Sequence, residues 1–578
     1  MNIKLKEEAK NIRQFKNYFK ELVLARGITN EENWDKYYNP TESNEHSSIL
    51  LNNIEKAYQI LKNNLDKKIG FLVDSDADGF CSASILLNYL LKINKDLNYV
   101  FFVHEGKEHG LKDSVNFFIK NYCNLVIVPD AGTNDIEEQE KLYNNSIDLI
   151  ILDHHESEKE LEDNDCIAIV NPQLDDYPNK ALSGGGVVLK FVQYLDTKFN
   201  VNYSNFYYDL AATSIVSDIL DITTLENRWI ITKGLKEFNN PFLKSAILKQ
   251  SCLVGEDVNP QGISFYIAPL INSLIRFGTK EQKEKLFTSM LENEGTKIVN
   301  TRYQTLAEEM VEETIKTKNV QDRAVKRCFT KALKEIEKEG QDKNEIIICQ
   351  KVLKDEDEKA VNGLIAMNLT AHFKKPVLYL VKTKNGLQGS ARNCEGHPIE
   401  NLKDYLNESG LVNYAQGHGS AFGVSINEEN ISILIEKINN DMVELKNNTV
   451  YYVDFIRGNE DEDIDILIEN LGANDDMYGK GNPKPEIAIE LNINARDIRI
   501  KGSKKDTSEI TFDYFSVLKF MDKDFADLID TCKVGKLTAI CEPSINFWNN
   551  KIKKQLNIKQ YELQIIEKKP SEEEFFII

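Results

Sequence analysis

Four short apolar runs set the limits on what this chain can fold into: KIGFLVD (68–74), NYVFFV (98–103), NLVIVP (124–129) and IDLIIL (147–152). Each is about strand length and rich in Val, Ile, Leu or Phe, and helical periodicity, as in CSASILLNYLLK, lies between them. Continuous apolar strands alternating with helices predict a parallel sheet covered on both faces. In such a sheet, ligands bind beyond the carboxyl ends of the strands.

At 578 residues the chain is too long for one core. From about 280 to 340 the sequence is highly charged and helical in pattern, and its place between two αβ regions predicts a long connector. EIIICQ (345–350), PVLYLV and GLQGSAR open a second αβ region that runs to about 445. Beyond it, IAIELNINARDIRI and LTAICEP alternate with period two, predicting a small barrel or sandwich.

The net charge of −21 argues against a whole-surface grip on nucleic acid but leaves room for a local basic channel. Nine cysteines without a CxxC pair fit reduced thiols and a cytoplasmic location. The N-terminus reads as no secretory signal, and no apolar run approaches the roughly 20 residues that span a membrane.

Acids and histidines gather at the predicted strand ends. Asp74, Asp76 and Asp78 stand in DSDADG, Asp130 follows NLVIVP, Asp153-His154-His155 follows IDLIIL, and Asp218 ends the helical ATSIVSD. A parallel sheet brings its strand ends together, so these groups would share one crevice. So many acids cannot ionise side by side without counter-charge. Carboxylate with imidazole and no thiolate suits Mn²⁺ or Mg²⁺, and two such ions can activate a water and stabilise the leaving oxygen of a phosphodiester. DSDADG alone is often a turn or a calcium loop, but position twelve of such a loop would be Ile85, not Glu. SGGGVVLKF (183–191), a Gly-rich turn opening a helix, either presents backbone N–H groups to a phosphate or lets the helix pack closely.

DSDADG, VPDAGTND, ILDHHE and SGGGVVLKF, in that order, resemble the motifs of the DHH phosphoesterases. Within them the chain is most similar to the RecJ exonucleases, and the likeness covers most of its length. LVLARGITNEENWDKYYNP (22–40), DLAATSIVSDILDI (209–222), APLINSLIRFG (268–278), GLQGSARN (386–393), AQGHGSAFG (415–423) and YGKGNPKPEI (478–487) each resemble a RecJ segment. The resemblance implies an N-terminal element (1–60), a parallel-sheet DHH domain (61–280), a helical connector (281–342), a smaller α/β DHH-associated domain (343–445) and a β-rich, oligonucleotide-binding-like domain (446–578). It implies a 5′-to-3′ exonuclease on single-stranded DNA, acting in repair, recombination or replication. The chain would be a monomer whose partners are single-stranded DNA and a single-strand-binding protein or helicase. Asp74, Asp76, Asp78, Asp130, His154 and Asp218 would hold the metals, with Asp130 as bridge. His155 would contact the scissile phosphate or protonate the leaving oxygen. Ser183, Arg276, Ser390, Arg392 and His418 would meet the substrate, guanidinium forks being suited to phosphate.

The departures fall around the substrate. Where RecJ has an Arg before an EGYG stretch, contacting the 5′ phosphate, this chain reads VHEGKEHG; His104 takes the Arg position, with Lys107 nearby. One Arg of the RecJ segment PRINAAGR is Leu270, and DNG has become Asp130-Ala131-Gly132. The competing readings are a small-substrate relative that cuts oligoribonucleotides, phospho-nucleotides or cyclic dinucleotides, and a non-catalytic replication scaffold. The long C-terminal region argues against the first and the intact acids against the second. No GxGxxG follows the first strand, which disfavours a nicotinamide-dependent enzyme. The acidic tail KKPSEEEFFII could dock on a partner, though a frayed end is the plainer reading.

Overall fold

The computed structural model describes residues 1–568 apart from 13–16, 107, 158–164, 252, 254–257, 301–303, 352–360, 384–385, 395–396, 448–449 and 549–550. Lys107 and the tail after 568 therefore lie outside the described residues. The chain divides into two units, residues 47–218 with 230–449, and residues 1–46 with 219–229 and 450–578.

The larger unit begins with the parallel sheet. Its strands are β1 (Ile69–Val73), β2 (Tyr99–Val103), β3 (Leu125–Pro129), β4 (Asp148–Leu152) and β5 (Ile167–Val170). They lie in the order β2-β1-β3-β4-β5, all parallel. The order reverses between β1 and β3, and a crevice opens at such a switch point. Helix α1 (Ala77–Ile93) is buried from Ala77 to Leu90 and packs on α2 (Gly184–Phe199) and α3 (Tyr208–Ser217). A helix buried on every side, with its polar groups Asp78, Ser82 and Asn88 hydrogen-bonded inside, belongs in the interior of a domain.

Two further helices, α4 (Ala268–Phe277) and α5 (Lys280–Ser289), lead to the connector α6 (Leu306–Glu339). Its ends are well specified. Thr305 and Glu308 form a capping box, and Gly340 closes it at φ 69. At 34 residues it is roughly 50 Å long. Its first part packs on α4, and its last part shares a core with α7 (Asn362–Phe373) through Val325, Ala332 and Ile336 against Ile365 and Leu369. Beyond it stand β6 (Ile347–Lys351), β7 (Val377–Thr383), β8 (Gly386–Arg392), β9 (Val412–His418) and β10 (Ala421–Ile426), in the order β9-β10-β8-β7-β6.

The smaller unit is β-rich and oligonucleotide-binding-like, a seven-stranded sheet dominated by the long antiparallel pair Cys532–Trp548 and Lys551–Lys568. Its core also takes in the start of the chain. Phe19, Leu22 and Val23 pack with Phe455, Leu467 and Ile468. Ile3–Leu5 runs parallel to Tyr451–Val453, and Asp454 accepts from Lys6 at 3.0 Å and Arg26 at 3.1 Å. In the YGKGNPKP segment, a Cβ on Gly481 (φ +89) would lie 2.1 Å from Asp221, so only glycine lets residues 219–229 approach.

Candidate metal centre

The acids of DSDADG do three different jobs. Asp76 is the N-cap of α1, accepting from the Gly79 amide at 2.9 Å. Asp74 lies against that turn; a Cβ on Gly79 would come 2.6 Å from the Asp74 Cβ. Asp78 accepts from the amides of Gly184 (3.0 Å) and Gly185 (2.9 Å) and from the hydroxyls of Ser82 (2.9 Å) and Ser214. The amides at the start of α2 are thus spent on Asp78. Ser183, expected to touch substrate, is fully buried as the cap of α2, where it accepts from Gly186 and shares a hydrogen bond with Ser214. The SGGG turn is a support for Asp78, not an open phosphate cradle.

Asp130 follows β3 with φ 67, its amide donating to Leu152 O at 2.8 Å. A Cβ on Gly184 would sit 2.3 Å from Asp130 Oδ1, so glycine is required where α2 begins. That Oδ1 is buried and has no hydrogen-bond partner. The His154 Nε2 stands 3.2 Å from it, 3.6 Å from Asp218 Oδ2 and 3.8 Å from Asp78 Oδ2. Asp153 turns the other way. It accepts from the amides of Thr133 and His154 and from His155 Nδ1 at 2.7 Å, so it organises the triplet.

Ligand atoms of Asp130, His154 and His155, of Asp78, His154 and Asp218, and of Asp74, Asp76 and His109 form three sets, each within 4.8 Å. Burial, then Asp78, Asp76 and Asp74, pushes Asp130 far above the usual carboxylate range. Burial, then Asp78 and Asp74, pushes Asp76 up to about 6. Burial holds His154 below its ordinary value. The hydrogen bond to Asp153 lifts His155 to about 9. Buried acids with an orphaned oxygen and oxygen–nitrogen donor sets fit hard divalent cations such as Mn²⁺ or Mg²⁺, and no cysteine belongs to any set.

His109 is the residue that the sequence reading missed. Its Nδ1 lies 2.5 Å from Asp74 Oδ2, and Gly110 (φ +73) donates its amide to the other oxygen at 2.9 Å. The Asp74 hydrogen bond raises the His109 imidazole above its ordinary value. The signal was the HG pair just before the next apolar run. His104, expected in the phosphate-contacting position, is buried. Its Nε2 is tied to Gly110 O at 2.9 Å, its ring stands edge-on to Phe102, and burial lowers its basicity. It braces the turn that carries His109. Beneath the same turn, Lys283 of α5 donates to the carbonyls of His104 (3.0 Å), Glu105 (2.6 Å) and Gly106 (2.8 Å).

Asp76, Asp78, His109 and Asp218 line one side of a cleft of about 880 Å³, and Arg276, Ser390 and Arg392 line it from α4 and β8. Among the described residues neither guanidinium has a carboxylate partner within salt-bridge distance. Partial desolvation beside the cleft lowers the basicity of both, although Arg276 still reaches solvent. Asn272, also unforeseen, accepts from the Ala77 amide at 3.1 Å and fixes α4 to the metal side. Leu270 is buried in α4. His418 ends β9 opposite Ala421; its side chain lies outside what the structure describes.

The description "DHH family, N-terminal domain" matches residues 68–215. YorK of the SPbeta prophage of Bacillus subtilis (strain 168), named as a single-strand DNA-specific exonuclease, is 31% identical over 571 residues, covering 95% of this chain and 96% of YorK. The single-stranded-DNA-specific exonuclease RecJ of the same organism is 27% identical over 557 residues, covering 93% of this chain and 67% of that protein. The crystal structure of Thermus thermophilus RecJ in complex with Mn²⁺ superposes with a TM-score of 0.70 at 18% identity, over 99% of this chain and 79% of the other. No helix among the described residues is long and apolar enough to cross a membrane. With the acid-lined switch point, this likeness along nearly the whole chain means that it belongs to the DHH family of metal-dependent phosphoesterases, among the RecJ-like members.

Proposed function

We propose that the chain is an exonuclease that hydrolyses single-stranded DNA from its 5′ end with two divalent ions, Mn²⁺ or Mg²⁺. The observation that carries this reading is the ligand sets joined through His154, one of them holding the buried, unsatisfied Asp130 Oδ1, with Asp76, Asp78, His109 and Asp218 lining a cleft that Arg276 and Arg392 also line. Asp74, Asp76, Asp78, Asp130, His154 and Asp218 would hold the ions, and His109 would complete the set around Asp74 and Asp76. Bound ions of this class supply Lewis acidity and make water a nucleophile near neutral pH. His155, charged through its bond to Asp153, meets the scissile phosphate and gives its proton to the leaving oxygen. Arg276, Ser390 and Arg392 orient phosphates of the strand. The β-rich unit retains the polymer, and the role in repair, recombination or replication follows from that substrate. Unbridged cysteines throughout the described residues support a reducing, cytoplasmic setting for a monomer that works beside a single-strand-binding protein or helicase.

The test is purified protein with Mn²⁺ and an oligonucleotide labelled at either end, single-stranded and duplex, with Asp130→Ala as control. The reading expects mononucleotides from the 5′ end of the single strand and a dead variant. Survival of the long strand, while dinucleotides or short oligoribonucleotides are cut, would give the site to a small-substrate phosphodiesterase. A wild type that retains the strand without cutting anything would make it a scaffold.

A further inference from the structure

The connector α6 carries a row of cations on its outer face. Between Arg323 and Lys334 the exposed residues are Arg323, Lys326, Arg327, Thr330, Lys331 and Lys334, all but one positively charged, and these six line a shallow groove. The row is roughly 16 Å long at the helical rise. It stands out in a chain of net charge −21.

Several of these cations follow one another at i,i+3 and i,i+4 spacing, where like charges repel. Three carboxylates of the same helix pair with other lysines: Glu313 with Lys316, Asp322 with Lys318, Glu335 with Lys351. Among the described residues no ion pair reaches Arg323, Lys326, Lys331 or Lys334. The opposite face of this span, with Val325, Cys328 and Ala332, is buried, so the register fixes the cations outward. No residue of α6 is among those lining the catalytic cleft.

We propose that the Arg323–Lys334 face of α6 is a second, non-catalytic contact for the phosphodiester backbone of single-stranded nucleic acid, gripping part of the strand outside the cleft. This rests on the nuclease reading of the cleft. A linear row of cations matches a linear polyanion and binds by releasing its counterions. A protein partner would call for an apolar or aromatic anchor at the centre of the patch, and the exposed residues of this span include none.

The experiment replaces Arg323, Lys326, Lys331 and Lys334 together by Gln, a good helix former, in the full chain. Binding of a labelled oligothymidylate of about 40 nucleotides is read by fluorescence anisotropy in EDTA across a salt series, beside the same length as duplex. The expected result is about a tenfold loss of single-strand affinity at low salt, with the slope of log K against log salt reduced by up to about 3. Turnover of an oligonucleotide of about six residues with Mn²⁺ stays at the wild-type value, because it is too short to leave the cleft and reach the row. Unchanged affinity and slope on the long strand overturn the proposal. So does a loss confined to the duplex, or a loss seen only with polyglutamate, which would assign the face to an acidic protein. If wild type grips the long strand through this row yet cuts nothing, the catalytic reading fails and the row stands.

Discussion

Asp130 bears three costs at once: a left-handed backbone, nearly complete burial, and an oxygen without a donor. Such strain persists only where the surroundings impose it. Asp130→Asn removes a charge that burial and four neighbouring acids disfavour. In EDTA this variant should therefore melt no lower than wild type, whereas Mn²⁺ should no longer raise its melting temperature and turnover should fall about a thousandfold or more. Thermal melts with and without Mn²⁺ check it; an EDTA melt well below wild type would show that Asp130 is structural instead. The pH dependence has a definite sign. Asp76 has a folded value near 6 against 3.8 in the unfolded chain. Its folded form holds the proton more tightly, so its contribution to metal-free stability is fully present below about pH 4 and is lost as pH rises through 6. The gain in melting temperature from Mn²⁺ should therefore be larger at pH 7 than at pH 5, and an equal gain at both would remove Asp76 from the ligand set. The four acid and histidine clusters were legible in the sequence because each stands next to an apolar run or in a packed helix. His109 was not, since a lone histidine in a polar loop carries no periodicity and His104 competed for the same role.

Among the elements, the stretch that carries His104 and His109 depends on a residue far along the chain. Lys283 satisfies three of its carbonyls with one ammonium. Lys283→Met should cost about 2–3 kcal/mol, because those oxygens lose a charged donor, and it should loosen His109. Denaturant melts measure the stability, and Mn²⁺ titration the weakened site. A variant of wild-type stability would mean that water replaces the ammonium fully. The start of α2 teaches why motif reading stopped short. SGGG was correctly ambiguous between a phosphate cradle and close packing; only the placement of Asp78 beneath its amides decides it. The connector was readable only in part: the charge pattern over about 280–340 announced a solvated helical stretch, but the Thr305–Glu308 capping box that starts α6 at Leu306 was not singled out.

At the scale of the molecule, the grouping of segments was the least legible feature. The parallel pairing of Ile3–Leu5 with Tyr451–Val453 leaves no local signature, because neither strand is patterned by the other's distance along the chain. Removing residues 1–46 should uncover Phe455, Leu467 and Ile468, which pack against Phe19, Leu22 and Val23. Losing several large apolar partners costs multiples of about 2–5 kcal/mol. The truncated chain should bind a hydrophobic dye and aggregate, as light scattering would show; a well-behaved monomer would mean that the β-rich core closes unaided.

The unit made of the first and last stretches of the chain has a consequence for biosynthesis. Domains tend to fold as units while the chain emerges, N-terminal ones first. Here residues 47–449 leave the ribosome before any of the sheet that shelters Phe19 and Leu22 exists. Phe19 and Leu22 thus wait, with their apolar side chains uncovered, for partners made only after the parallel-sheet unit, whose sequence is available first.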